Sequence, residues 1–173
     1  VSRTENIFQF KQVLDALNLY KKYNIIFTSP NIDPGNTDIL KMIKKFIVKN
    51  KNSYFFKSLG QKLFFSVVKI SDILIGNSSS GILEVPFLEI PVLNIGNRQK
   101  GRFQFIKVFE SIPQKKAITN HIDNILKEKI KKNKLKPKFK KNASSLIAKN
   151  IIKNLKNKKY IYIKNKIFYD LNF

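Results

Sequence analysis

Residues 71–102 read SDILIGNSSSGILEVPFLEIPVLNIGNRQKGR, and this stretch decides the fold. In order it contains an apolar run (73–75), a polar turn (76–81), a short segment that carries Glu84 and ends at Pro86, a second apolar run (91–95) and a basic loop (96–102). Apolar runs of this length that are closed by glycine are typical of buried parallel strands. The stretch therefore predicts a strand, a turn, a short helix, a second strand and a basic loop.

The two polar loops of this stretch have the composition of a phosphate site. A Ser/Gly turn after a buried strand offers backbone N–H groups to an anion, and ligands of open α/β sheets bind at the carboxyl ends of strands. Gly76 and Gly81 would let the backbone approach a ligand closely. Arg98 and Arg102 offer planar donors to phosphate, and Glu84 could accept hydrogen bonds from sugar hydroxyls. From the residues alone, an ordinary strand–helix turn with a solvated basic loop stays open as the alternative.

Helical and strand patterns alternate through the rest of the chain. Helices are predicted at residues 5–23, 37–50, 61–70, 117–132 and 143–155, and strands at 24–28, 53–56 and 108–112. Thr4 is the predicted N-cap of the first helix. This order predicts an α/β fold with a Rossmann-like parallel sheet flanked by helices. We expect a Rossmann-like nucleotide-binding domain at 1–132, a basic linker and C-terminal helix at 133–157, and a tail of unknown structure at 158–173.

The composition limits the kinds of function that the chain can have. Its 173 residues contain no cysteine, which excludes disulfides, thiolate metal sites and a cysteine nucleophile. No apolar run approaches the about 18 residues of a membrane-spanning helix. The net charge of +23 would fit a nucleic-acid partner. However, lysine, asparagine and isoleucine together make up 75 residues, which indicates a compositional bias spread along the chain. We therefore expect neither a nucleic-acid partner nor a membrane partner.

Four motifs give the chain a resemblance to a known family. They are IGNSSSGILEVP at 75–86, IPVLNIGNRQKGR at 90–102, PNIDPG at 30–35 and SLGQ at 58–61. In this order and spacing they resemble the hydrolysing UDP-N-acetylglucosamine 2-epimerases. The resemblance covers roughly residues 24–102 and fades after Arg102. Asn97 departs from it, because the family usually has aspartate at that position.

The resemblance implies a fold and a reaction. It implies the C-terminal half of a glycosyltransferase-B-like enzyme with two Rossmann-like domains, located in the cytoplasm. The family reaction converts UDP-N-acetylglucosamine to N-acetylmannosamine and UDP for the synthesis of nonulosonic (sialic-type) acids. The expected partners are the nucleotide-sugar substrate, the N-terminal domain of the same enzyme and, in a homodimer, a second copy. The catalytic residues stay unknown and are expected mainly in the N-terminal half.

The resemblance also implies the residues that bind substrate. The segment near the diphosphate corresponds to Ser78, Ser79, Ser80 and Gly81. Glu84 corresponds to a carboxylate that binds the ribose, and Arg98 and Arg102 to the loop beside the leaving diphosphate. Weaker candidates are Ser58 and Leu59, beside the base, and Asp33, which would contact the ligand or cap the next helix.

Several readings of the function stay open beside this one. The chain could be a truncated, catalytically inactive fragment that still binds nucleotide, or a relative that acts on a GDP-linked or another UDP-linked amino sugar. No metal site and no cofactor are predicted. His121, the only histidine, follows a helical pattern away from the polar loops and is a poor catalytic candidate.

Overall fold

The computed structural model describes residues 2–102, 108–128 and 142–156. The chain divides into two compact units, Val1–Pro137 and Lys138–Phe173. The first unit contains α1 (Arg3–Leu17), β1 (Ile25–Thr28), α2 (Asn36–Lys49), β2 (Ser53–Phe56), α3 (Gly60–Ile70), β3 (Leu74–Gly76), α4 (Ser80–Leu83), a 3₁₀ turn (Val85–Leu88), β4 (Val92–Ile95), β5 (Phe109–Ser111) and α5 (Lys115–Glu128). The predicted tail at 158–173 and most of the predicted linker lie outside the described residues.

All paired strands of the first unit are parallel. β1 pairs with β2, with Ile25 opposite Ser53, and these two strands form one sheet. The other sheet has the order β3-β4-β5, with Leu74 opposite Val92 and Leu93 opposite Phe109. α2 connects β1 to β2, and α4 with the 3₁₀ turn connects β3 to β4, because parallel neighbours need a long crossover connection. The prediction of an α/β fold with parallel strands flanked by helices is confirmed, although the strands form two sheets.

The alternation along β4 shows which helices cover which face. Consecutive residues of a strand point to opposite faces, and all four residues of β4 are buried. Val92 packs with Val68 of α3 and Ile82 of α4, whereas Leu93 packs with Ala16 of α1 and with α5. Helices α1 and α5 therefore lie on one face of this sheet, and α3 and α4 lie on the other.

Helix α1 packs against both sheets. Its Leu14 joins a cluster with Phe27 of β1 and with Ile43 and Phe46 of α2. Its Ala16 is fully buried in a different cluster, against β4 and α5. Ile43 and Phe46 of α2 are buried, and Ile118, Ile122 and Ile125 of α5 are at most 3% exposed.

Two local predictions near the helix ends need correction. Thr4 was predicted to cap the first helix, but α1 begins at Arg3, and the hydroxyl of Ser2 accepts the N–H of Glu5 at 3.2 Å. Ser2 takes this role because its backbone is extended, whereas Thr4 already has helical geometry. Glu84 was placed in a short helix that ends at Pro86, but α4 ends at Leu83 and a separate 3₁₀ turn contains Pro86.

The second unit contributes one described helix, α6 (Ala143–Lys156). Its large apolar side chains are between 44% and 67% exposed: Leu146, Ile147, Ile151, Ile152 and Leu155. Lysines dominate its last turn. In the described part of the chain, no helix combines the length and the apolar character needed to cross a membrane.

Candidate functional site

Three polar loops meet at the carboxyl edge of the strands, and we call this region the carboxyl-edge site. The β1 loop comprises residues 29–35, the β3 turn residues 77–79, and the β4 loop residues 96–102. The N-terminal turn of α1 lies against two of these loops. Asn6 donates to the carbonyl of Pro34 at 3.1 Å, and the side chain of Gln9 lies close to Gly96.

Two glycines allow this close approach of α1. Gly35 and Gly96 have φ angles of +90° and +77°, which side-chain-bearing residues rarely adopt. A Cβ on Gly96 would lie 3.0 Å from the Gln9 Oε1 atom, and a Cβ on Gly35 would lie 3.3 Å from Cγ of Arg3. These two glycines therefore turn the chain sharply after β1 and β4 and leave room for the start of α1.

An ion pair joins the β1 loop to the β4 loop. The Arg98 Nη2 atom lies 3.1 Å from Oδ2 of Asp33, and the two side chains are 34% and 45% exposed. Both residues were predicted substrate-binding residues, and the structure brings them together. Asp33 does not cap α2, because the N-cap position is Gly35 and no side chain caps that helix.

A buried glutamine joins the β4 loop to the β3 turn. The Gln99 Nε2 atom donates to the carbonyl of Asn77 at 2.7 Å, and Gln99 is only 3% exposed. Its Oε1 atom is buried without a hydrogen-bond partner among the described residues. Gln99 was not among the predicted site residues. Its polar character beside two arginines indicated a solvated loop, and a bond to a turn 22 residues away leaves no local signal in the sequence.

Ser78 of the β3 turn and Ser80, the first residue of α4, form local hydrogen bonds. The hydroxyl of Ser80 donates to Oε2 of Glu84 at 2.6 Å, and the hydroxyl of Ser78 accepts the N–H of Ser80 at 3.4 Å. The N–H of Gly81 donates to the carbonyl of Ser78 at 3.1 Å. Ser79 stands just before α4 and makes no side-chain cap. Ser80 thus holds the exposed carboxylate of Glu84 beside the β3 turn.

Gly81 is explained by packing. It is buried, and a Cβ there would lie 3.1 Å from Cγ1 of Val92 and 3.5 Å from Cδ2 of Leu74. The absence of a side chain lets α4 pack closely on β3 and β4. Gly76 differs, because a Cβ at that position would meet nothing within 4 Å.

The remaining predicted residues are Leu59, Ser58 and Arg102. Leu59 lines the same cavity as Ser78, Ser80 and Asp33, while the hydroxyl of Ser58 accepts the N–H of Gly60 at 3.2 Å. Arg102 is exposed, and its N–H donates to the carbonyl of Gln99 at 3.2 Å. Within the described ranges, no three His, Asp or Glu side chains group as they would around a metal ion.

One titratable group near the opposite, amino edge of the strands is perturbed. Burial raises the pKa of Tyr20 above its ordinary value, and the hydrogen bond to Asp123 raises it further. The Tyr20 hydroxyl lies 2.8 Å from Oδ1 of Asp123 and 3.2 Å from the carbonyl of Thr119. This contact ties the segment after α1 to α5 and lies away from the carboxyl-edge site.

The carboxyl-edge site contains groups that suit an anionic, hydroxylated ligand such as a nucleoside diphosphate. Arg98 and Arg102 supply positive charge, the β3 turn supplies hydroxyl groups, and Glu84 supplies a hydrogen-bond acceptor. A carboxylate at hydrogen-bonding distance from a serine hydroxyl can also accept bonds from vicinal sugar hydroxyls. The arrangement can therefore bind an anionic, hydroxylated ligand. No general acid or general base is assigned among the described residues.

Comparisons with known proteins identify the family of the chain. A family model described as UDP-N-acetylglucosamine 2-epimerase matches residues 1–155. The polysialic acid biosynthesis protein P7 of Escherichia coli is 36% identical over 170 residues, which are 94% of this chain and 42% of that protein.

Two further relatives match the central part of the chain. The GDP/UDP-N,N'-diacetylbacillosamine 2-epimerase (hydrolyzing) of Campylobacter jejuni is 38% identical over 104 residues, which are 60% of this chain and 27% of that enzyme. The UDP-N,N'-diacetylbacillosamine 2-epimerase (hydrolyzing) of Legionella pneumophila is 35% identical over 94 residues, 54% of this chain and 24% of that enzyme. The chain thus spans less than half the length of the relatives that it matches.

Proposed function

Because the chain belongs to the UDP-N-acetylglucosamine 2-epimerase family, we propose that it is the nucleotide-binding half of a hydrolysing enzyme of this kind. The whole enzyme would use water to convert UDP-N-acetylglucosamine to N-acetylmannosamine and UDP in the cytoplasm, for the synthesis of sialic-type acids. The observation that carries the proposal is the joining of three loops at one edge, through Arg98 with Asp33 and Gln99 with Asn77.

In this proposal each part of the carboxyl-edge site has one task. Glu84, held by Ser80, accepts hydrogen bonds from the ribose hydroxyls. The hydroxyl groups of the β3 turn contact the diphosphate. Arg98 and Arg102 stabilise the negative charge that grows on the diphosphate as UDP leaves, and fixed cations of this kind lower the barrier to bond cleavage. The sugar itself would lie towards a second, N-terminal domain that carries the acid and base groups.

The names of the relatives differ in the nucleotide that they include. The name of the Campylobacter jejuni relative includes both GDP and UDP, and that of the Legionella pneumophila relative includes UDP alone. A GDP-linked or another UDP-linked amino sugar is therefore the second candidate substrate. Leu59, which lines the cavity at the start of α3, is our candidate neighbour of the base.

Calorimetric titration with UDP, and in parallel with GDP, tests the proposal. We expect Glu84→Ala to weaken the binding of the preferred nucleotide about tenfold or more, because a hydrogen bond to a charged group contributes about 1.5–3 kcal/mol. Glu89→Gln is the charge control, because this variant removes a negative charge outside the site. An unchanged affinity in folded Glu84→Ala protein would contradict the role of Glu84, and equal losses in both variants would indicate a general charge effect.

A second assay separates an active half from an inactive fragment. The chain is supplied with an N-terminal epimerase domain, and the release of N-acetylmannosamine from UDP-N-acetylglucosamine is measured. Release that depends on Arg98 would support the enzymatic proposal. Nucleotide binding without release would favour the catalytically inactive fragment.

A further inference from the structure

Gln99 has an unusual environment for a glutamine in a loop. Among residues 96–102, all of which the structure describes, only Gln99 is buried, whereas Asn97, Lys100 and Arg102 are exposed. Glutamine is mostly found at protein surfaces, because its amide loses water on burial. Its burial in an otherwise exposed loop therefore points to a specific task for the amide group.

The hydrogen-bond partner of this amide lies in a different loop. The Gln99 Nε2 atom donates to the carbonyl of Asn77, the first residue of the β3 turn, at 2.7 Å. The Oε1 atom of the same amide is buried without a partner among the described residues. A buried oxygen of this kind costs free energy, and an apolar side chain of the same length would avoid that cost. Packing alone therefore does not account for glutamine at this position, because an apolar residue would pack equally well but could not bond to the β3 turn.

The backbone next to Gln99 connects this bond to both arginines of the β4 loop. The N–H of Gly96 donates to the carbonyl of Ser111 in β5 at 2.9 Å, which fixes the start of the loop. Arg98 lies between this anchor and Gln99, and so short a span of planar peptide units leaves its backbone few positions. The N–H of Arg102 donates to the carbonyl of Gln99 at 3.2 Å. The placement of both arginines therefore depends on Gln99.

We propose that Gln99 is a positioning residue that fixes the separation between Arg98 and the β3 turn, so that one diphosphate contacts both. The inference rests on the proposed function, in which Arg98 and the hydroxyl groups of the β3 turn bind the same diphosphate. Because Gln99 is buried, it acts through Arg98 and not by contact with the ligand. Its amide carries no charge, so it links the two loops without offsetting the positive charge of Arg98.

This role makes Gln99 a determinant of the number of phosphates in the ligand. A nucleoside diphosphate would contact both the β3 turn and Arg98, so its affinity depends on their separation. A nucleoside monophosphate has a single phosphate group, which one of the two elements can bind without the other. The bond between Gln99 and Asn77 therefore favours the diphosphate over the monophosphate.

The test is calorimetric titration of the full chain with UDP and with UMP, or with GDP and GMP if GDP binds more tightly. Gln99→Met keeps the length of the side chain and removes the donor. We expect this variant to lose about tenfold in affinity for UDP, as for one charged hydrogen bond, and less than about twofold for UMP. Arg98→Gln should lose at least as much for UDP. The double variant should lose no more than Arg98→Gln alone, because both changes remove the same contact.

Two further measurements separate positioning from a general loss of structure. Asn50→Leu is the matched control, because Asn50 is also buried and its Nδ2 atom donates to the carbonyl of Phe46 at 2.9 Å, at the amino edge of the strands. This variant should lose stability but keep the ratio of UDP to UMP affinity. Amide hydrogen exchange without nucleotide is the second measurement. The N–H groups of Lys100 and Arg102 should exchange at least about tenfold faster in Gln99→Met than in the unaltered chain.

The inference is wrong if folded Gln99→Met binds UDP as tightly as the unaltered chain, or if the affinities for UDP and UMP fall by the same factor. It is also wrong if the losses of Gln99→Met and Arg98→Gln add fully, or if exchange in the loop is unchanged. Gln99→Asn, whose amide is too short for the bond, replaces a Gln99→Met variant that does not fold, and failure of both to fold would make Gln99 purely structural. If the unaltered chain binds neither UDP nor GDP, the proposed function fails, and exchange in the loop still decides whether Gln99 holds it.

Discussion

Replacing Asp33 with asparagine tests whether Arg98 is available to an anionic ligand. In the structure the guanidinium of Arg98 lies 3.1 Å from the carboxylate of Asp33. A bound diphosphate would either compete with this carboxylate or be repelled by it. Both side chains are partly exposed, so the ion pair contributes about 0.2–1 kcal/mol. Removing the carboxylate should therefore strengthen diphosphate binding by a factor of about 1.4 to 5, because 1.4 kcal/mol corresponds to about a factor of ten.

The assay is calorimetric titration with inorganic diphosphate and with UDP at low and high salt. The gain in affinity should shrink at high salt, because exposed charges are screened. Asp38→Asn is the matched control, since Asp38 loses the same charge from a pair with Arg3 whose Nη2–Oδ2 distance is 2.7 Å. In the double variant of Asp33→Asn with Arg98→Gln, the gain should disappear.

Two results would refute this reasoning. Weaker binding by the Asp33→Asn variant would mean that Asp33 contacts the ligand directly, as the resemblance to the family allowed. Equal gains in the Asp33→Asn and Asp38→Asn variants would mean that the pair does not restrain Arg98. Unfolding in urea provides the remaining check, because each single variant should lose no more than about 1 kcal/mol of stability.

Two further predictions concern the fold. Because the pKa of Tyr20 is raised, the folded chain keeps the hydroxyl proton at pH values where the unfolded chain releases it. The contribution of Tyr20 to the unfolding free energy is therefore full below about pH 10 and is lost as the pH rises above that value. The fall in unfolding free energy between about pH 9 and 11 should therefore be shallower in Tyr20→Phe, and equal slopes would contradict the role of burial. Gly81→Ala should destabilise the chain by about 1 kcal/mol in urea unfolding, because overpacking outweighs the better helix propensity of alanine. Gly76→Ala, where a Cβ meets no atom, should cost nothing measurable, and equal losses at both positions would contradict the packing argument.

The sequence predicted the elements well because each has a local pattern. The strand at 53–56 matches β2 residue for residue, and the apolar periodicity of α2 and α5 identified their buried faces. The cap of α1 was misplaced by two residues, because Ser2 and Thr4 are both capping residues and only the backbone conformation distinguishes them.

The parts of the site that the sequence did not predict depend on long-range contacts. Residue types that suit a phosphate were evident in the β3 turn and the β4 loop. The pairing of Arg98 with Asp33 links residues 65 positions apart, and no local pattern records it. The packing reason for Gly81 likewise requires the position of Val92. The division of the strands into two sheets depends on their lateral order, which hydrophobic patterns do not contain.

The contact between Tyr20 and Asp123 has a consequence for how the chain folds. It joins residues 103 positions apart, between the segment after α1 and the α5 helix. During synthesis α1 emerges before the other elements of the first unit, but the partners that bury Ala16 include Ile118 and Ile122, which emerge about 100 residues later. Distant contacts of this kind form slowly, because the intervening chain must lose its freedom before they contribute. The apolar face of α1 that Ala16 belongs to therefore stays uncovered until α5 has been synthesised.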